Sequence, residues 1–199
     1  MLPAPVLHFL RVCPARTKDF FSAVSFLLND IPNVSFKDKT RILKQLSVIS
    51  SNIQSPHTQS EILSFIRTIL TLPPDRKGCV VEAGSFKGSS TAKFSLAADI
   101  AGRTLVVFDS FEGFPANDEP PHKNIFGGDA GYEKGDYFGT LEEVKSNVTK
   151  FGKIDRCLFV KGWFDNTMPY FKEPVAAIYL DVDLASSTRT CLKYLYPLL

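Results

Sequence analysis

The sequence predicts an α/β fold: a mostly parallel, doubly wound sheet over residues 78–199, preceded by a helical segment over residues 1–77. Two observations carry this. Up to Pro73-Pro74, apolar residues recur at intervals of three and four, the period of a helix that buries one face. From Gly78 onward, the short apolar runs CVVEAG, TLVVFD, CLFV and VAAIYLD alternate with helical stretches. Strands that are apolar on both sides and separated by helices belong to a parallel sheet covered on both faces.

Residues 17–28 place Phe20, Phe21, Val24, Leu27 and Leu28 on one face of a first helix, which Pro32 ends. Residues 38–53 repeat the pattern with Ile42, Leu46, Ile49 and Ile53. Thr58-x-x-Glu61 is a capping box that opens a third helix with the stripe Ile62, Phe65, Ile66, Ile69 and Leu70. The first strand ends at Gly84, and residues 89–101 form a helix stopped by Gly102. After the second strand, Thr140-x-x-Glu143 opens a helix that turns Leu141, Val144, Val148 and Phe151 inward and closes at Gly152. CLFV and VAAIYLD are the third and fourth strands, and Ser186 or Ser187 caps a last helix running towards Pro197. Between the second strand and Thr140, residues 112–139 lack periodicity and hold six of the twelve glycines. Their place above the carboxyl end of the sheet predicts a flexible loop acting as a lid.

Composition removes several classes of function. A net charge of +2 leaves no electrostatic footprint for nucleic acid or an anionic membrane. No apolar run reaches the roughly 20 residues of a membrane span. The stretch MLPAPVLHFLRVCPARTKDF has no charged region before its apolar part, so no secretory signal is expected. Cys13, Cys79, Cys157 and Cys191 are too scattered for a zinc site or a disulfide framework and read as reduced thiols of a cytoplasmic protein. His8, His57 and His122 are equally dispersed and read as surface or loop residues.

In an open parallel sheet, ligands bind beyond the carboxyl ends of the strands. The first strand delivers Glu82-Ala83-Gly84-Ser85-Phe86-Lys87-Gly88-Ser89-Ser90 there. Gly84 and Gly88 permit a tight turn and close backbone approach, and the next helix offers free N–H groups. Phe86 stands where a dinucleotide fingerprint has its second glycine, which disfavours a nicotinamide oxidoreductase, and the loop lacks the Gly-Lys-Ser of a nucleotide-triphosphate loop. What remains is E-x-G-x-x-x-G followed by Asp109 at the end of the second strand, placed to accept two ribose hydroxyls. Glu82 reads either as a strand-end charge or as a partner for a ligand ammonium. Asp181 and Asp183, in LDVDL, point the same way if the chain is extended. They suit either a hard cation or, for Asp183, a helix cap.

The motifs VVEAGSFKGSS, VVFDSFEGFP, FVKGWFDNTMP and IYLDVDLASST, in this order, resemble the macrocin O-methyltransferase family. That resemblance implies a Rossmann-like class I methyltransferase fold, S-adenosylmethionine as methyl donor and a hydroxyl of a sugar or natural-product small molecule as acceptor. It implies that Glu82, Gly84, Ser85, Gly88 and Ser89 line the methionine part of the donor, and that Asp109, Ser110 and Phe111 hold the ribose. Gly162 and Trp163 then lie by the adenine, although a lone Trp is as readily a core anchor. Asp181 is implied as a ligand of a magnesium ion and Asp183 as the base that takes the hydroxyl proton. Family members continue beyond Pro197 into a further strand and an acidic pair, so the resemblance implies a sheet incomplete at the C-terminus. The outer edge of the fourth strand would then be open to homo-oligomerisation. The alternative reading is a non-catalytic relative that binds cofactor or a protein partner.

Overall fold

The structure, a computed structural model, describes the backbone of residues 14–120, 122–123 and 129–199, and the side chains of residues 17–120 and 131–199. The expectations placed on residues 1–13, including the signal-free start, His8 and Cys13, lie outside the described residues, as does the side chain of His122.

Three helices come first: α1 (Pro14–Leu28), α2 (Phe36–Asn52) and α3 (Gln59–Thr71). The remainder runs β1 (Cys79–Ala83), α4 (Ser89–Ile100), β2 (Leu105–Asp109), the short strands β3 (His122–Lys123) and β4 (Asp129–Ala130), then α5 (Leu141–Phe151), β5 (Cys157–Lys161), the one-turn α6 (Phe164–Thr167), β6 (Val175–Leu180) and α7 (Ala185–Leu195). The main sheet has the order β5-β2-β1-β6, and every pairing in it is parallel. The chain steps from β1 to β2 on one side and returns to β6 on the other, so a topological switch point falls between β1 and β6. The β3–β4 pair is a separate antiparallel ribbon.

Local signals set the ends of these elements. Thr58 accepts from the Glu61 N–H while the Glu61 carboxylate accepts from the Thr58 N–H, so the capping box is reciprocal. Thr140 accepts from the Glu143 N–H at 3.0 Å. Gly102 ends α4 in the left-handed region (φ 65°), with the N–H of Arg103 reaching back to the Ala98 carbonyl. The C-terminus of α1 is closed from another element: the buried Lys39 ammonium donates to the Leu27 and Asn29 carbonyls.

One face of the sheet (Val80, Leu105, Val107) packs on Phe94, Ala97 and Ala98 of α4 and, with them, on Phe26, Ile42, Leu46, Ile62, Ile66 and Ile69 of the three leading helices. The other face (Val81, Val106, Phe108) packs on Met168, Cys191 and Leu195. The core stripe of α2 is the one the period predicts, and so is that of α3 except that Leu63 is also buried and Phe65 only partly so. The α1 stripe is not the predicted one: Phe20, Phe21 and Leu28 are exposed, while Phe26 is buried and Ala23 packs beside it. This helix carries apolar residues on more than one side, so its period alone does not choose the buried face; contact with α3 does. A second correction concerns α7. Its N-cap is Leu184, with no capping bond of its own, and neither Ser186 nor Ser187 serves. Glu119, from the loop after β2, accepts instead from the N–H groups of Ala185 (2.7 Å) and Ser186 (2.8 Å).

Candidate active site

Parallel register brings the four strand ends to one rim. The Gly84 N–H donates to the Phe108 carbonyl, the Asp181 N–H to that of Ala83, and the Gly162 N–H to that of Asp109. A cavity of about 280 Å³ opens above the switch point. Gly84, Ser85, Ser89, Asp109, Ser110, Gly162, Trp163, Asp181 and Asp183 all lie on its wall, so most of the residues expected at the site are brought together.

The β1–α4 turn explains its own glycines. Gly84 has φ 86°, and a Cβ there would run into the Asp181 carbonyl. Gly88 (φ 80°) sits at the N-cap of α4, where a Cβ would stand 2.9 Å from Val144. It shapes the turn from behind and is not on the cavity wall. Phe86, between them, has φ 47° and faces the cavity.

Three other site residues sit differently from expectation. Phe111 (3% exposed) turns its ring towards Phe159, away from the cavity, and contributes its N–H to Asp109. Asp109 is already engaged: one oxygen accepts from the Ser85 N–H (2.6 Å) and hydroxyl (2.9 Å), the other from the Phe111 N–H (2.7 Å). It therefore ties the β1 turn to the end of β2 and presents only its remaining lone pairs to a ligand. Glu82 is wholly buried beneath the cavity floor, and neither of its oxygens has a hydrogen-bond partner among the described residues. Burial pushes its carboxyl up to about 8, and the nearby hydroxyls of Ser90 and Thr91 oppose this only in part.

A raised carboxyl binds its proton more tightly in the folded chain than in the unfolded one, so its contribution to stability is full below about 4.5 and is lost as pH rises towards about 8. Glu82→Gln is expected to remove a decline of order 1 kcal/mol per pH unit across that window. Denaturation midpoints measured from mildly acidic to mildly basic pH check it; identical slopes for both proteins would refute the assignment.

His57, which the sequence presents as a surface or loop residue, belongs to the site. The α2–α3 connection carries Gln54, Ser55, Pro56 and His57 onto the cavity wall, and His57 Nε2 lies 2.7 Å from Asp181 Oδ2. That hydrogen bond raises the imidazole above its ordinary value despite burial. Nothing local signals the role, since it exists only once the helices fold over the end of β6. Described parts of the loop after β2 also reach the wall. Phe114, Pro115, Asp136 and Tyr137 line the cavity, and Tyr132 donates to Asp183 Oδ1 at 3.0 Å. Asp183 itself has φ 54°, and the Leu184 N–H turns back to the Val182 carbonyl. A three-residue turn, rather than strand alternation, thus brings both aspartates to the same cavity.

Comparison with known proteins now bears on this geometry. Residues 65–199 match the model of the family described as macrocin-O-methyltransferase (TylF). The chain belongs to the macrocin O-methyltransferase family. Mycinamicin III 3''-O-methyltransferase of Micromonospora griseorubida is 33% identical over 127 residues, 60% of this chain and 50% of that protein. Demethyldecarbamoylnovobiocin O-methyltransferase of Streptomyces niveus is 31% identical over 129 residues, 60% of this chain and 48% of that protein. The chain thus spans about half the length of the curated relatives it matches. Among solved structures, the O-methyltransferase NovP superposes with a TM-score of 0.60 at 20% identity, covering 92% of this chain and 79% of that one. The calicheamicin methyltransferase CalS11 gives 0.54 at 19%, covering 86% and 76%. The fold is the Rossmann-like methyltransferase fold.

The family reading also implies magnesium. Among the described residues no group of three or more His, Cys, Asp or Glu side chains stands close enough to hold a metal ion. Asp181 is taken up by His57 and Asp183 by Tyr132. Among the described residues, then, a magnesium site is not shown. No helix among the described residues is long and apolar enough to cross a membrane.

Proposed function

We propose that this protein is an S-adenosylmethionine-dependent O-methyltransferase acting on a hydroxyl of a sugar or natural-product small molecule. The observation that carries the reading is that one cavity holds both the glycine turn after β1 and the exposed carboxylate of Asp183. Bound donor supplies an already activated methyl group on a sulfonium. What the chain adds is placement and proton removal. Gly84 lets the backbone approach the donor, while Ser85, Asp109 and Ser110 face its ribose and Trp163 its adenine. The donor fits the buried Ser89 hydroxyl, which has no partner among the described residues and borders the cavity. Asp183 accepts the proton of the acceptor hydroxyl as that oxygen takes the methyl group, and His57 fixes the neighbouring Asp181. The loop on either side of Tyr132 serves as the lid, and the helices within residues 1–77 as the wall behind the acceptor. No step is assigned to magnesium. A cytoplasmic location and self-association along the outer edge of β6, which pairs only with β1 among the described strands, complete the proposal.

Calorimetric titration with S-adenosylhomocysteine tests the donor half. Asp109→Ala is expected to weaken binding at least about tenfold, the loss of one charge-assisted hydrogen bond together with the tie to Ser85. Unchanged affinity would remove the ribose assignment. Transfer of a labelled methyl group separates this enzyme from a relative that only binds cofactor.

A further inference from the structure

We infer that the acceptor taken by this cavity is neutral or cationic, and that acceptors bearing a carboxylate or a phosphate are turned away. The inference rests on the methyl-transfer reading and names its substrate class.

Glu61, Asp109, Asp136, Asp181 and Asp183 stand on the wall, which carries no lysine or arginine among the described residues. The chain as a whole has 23 basic and 21 acidic residues, so this imbalance is local. The one basic group on the described wall, His57, lies 2.7 Å from Asp181 and 4.0 Å from Glu61. Even fully charged it offsets one carboxylate. With Asp183 left out, and with Lys87, which donates to Gln54 of the wall, counted in, acidic groups still outnumber basic ones by two. A cleft lined by one sign of charge focuses its field and concentrates ligands of the other sign.

Aromatic walls act in the same direction. Phe86, Phe114, Tyr137 and Trp163 border the cavity, and aromatic rings attract cations, as the Lys87 ammonium 5.4 Å over the Phe86 ring illustrates here. The N-termini of the longer helices that start at the cavity offer an acceptor anion no refuge: that of α3 is closed by its own capping box. That of α7 is filled by Glu119, and that of α4 lies at the donor end, beside Ser89. Ser89, 4% exposed and with no partner for its hydroxyl among the described residues, marks the donor end of the same cavity as built for a ligand.

Three 4-nitrophenyl glycosides of matched shape test the charge rule: the 2-aminoglucoside, protonated in mildly acidic buffer, the glucoside and the glucuronide. Saturation-transfer NMR on the full chain, with and without S-adenosylhomocysteine, measures their affinities at low salt. The aminoglucoside is expected to bind at least about tenfold more tightly than the glucuronide, with the glucoside between them. High salt should narrow the gap by screening. So should the double variant Glu61→Gln, Asp136→Asn, in which each replacement keeps the oxygen that accepts a backbone N–H. A glucuronide that binds as well as the aminoglucoside, an order unmoved by the double variant, or no binding of any of the three overturns the proposal. Failure of S-adenosylhomocysteine alone counts against the donor reading, because the charge order is also read without it.

Discussion

Asp183→Asn should lower methyl transfer by roughly 10²–10⁴-fold and leave donor affinity unchanged. Asparagine preserves nearly everything the structure asks of this position except proton acceptance. The backbone there has φ 54°, a conformation that asparagine tolerates well. Its amide oxygen can still accept from Tyr132, whose hydroxyl, pushed up to about 12 chiefly by burial and then by Asp183, remains a donor at neutral pH. The side chain is exposed on the cavity wall rather than part of the core, so the fold loses little. Steady-state transfer of labelled methyl groups, paired with calorimetry of S-adenosylhomocysteine, gives both halves of the result. A variant that turns over at the wild-type rate would place the base elsewhere.

The largest effect on stability is expected at Gly84. An alanine Cβ would meet the carbonyl of Asp181, whose carbon lies 2.9 Å away, and the backbone already sits at φ 86°. Both obstacles are main chain at the junction of β1 and β6, so no side-chain rotation relieves them. A cost of at least about 3 kcal/mol follows, a large share of the roughly 5–15 kcal/mol that holds a typical domain together. Gly102→Ala is the control. Its φ is 65°, but a Cβ there meets nothing within 4 Å, so only the left-handed conformational penalty of about 1–2 kcal/mol applies. Urea midpoints of the two variants decide it; equal shifts would mean that the contact at Gly84 relaxes freely.

Much of this arrangement could be read from the chain because the deciding interactions are local. Continuous β-branched runs specify buried parallel strands. Thr58 with Glu61 and Thr140 with Glu143 start helices through bonds three residues apart. Gly84 and Asp109 fall at strand ends on the cavity wall. The parts that escaped depend on long-range meetings. His57 gains its meaning from a residue 124 positions away, and α7 is capped from 66 positions away. Glu82 was legible as a strand-end carboxylate, but its complete burial follows from the helices packed over that face. Phe111 looked like a neighbour of the ribose because it follows Asp109, yet its φ of 57° turns the ring into the core.

The Glu119 cap has a consequence for how the loop can be observed. The first amides of α7 find their acceptors on a segment that belongs to no helix or sheet. Whenever that segment lifts, the amides of Ala185 and Ser186 lose both oxygens at once and meet solvent. Their hydrogen-exchange rates therefore form a built-in gauge of loop occupancy, two residues beyond Asp183 and readable whether or not any substrate is known.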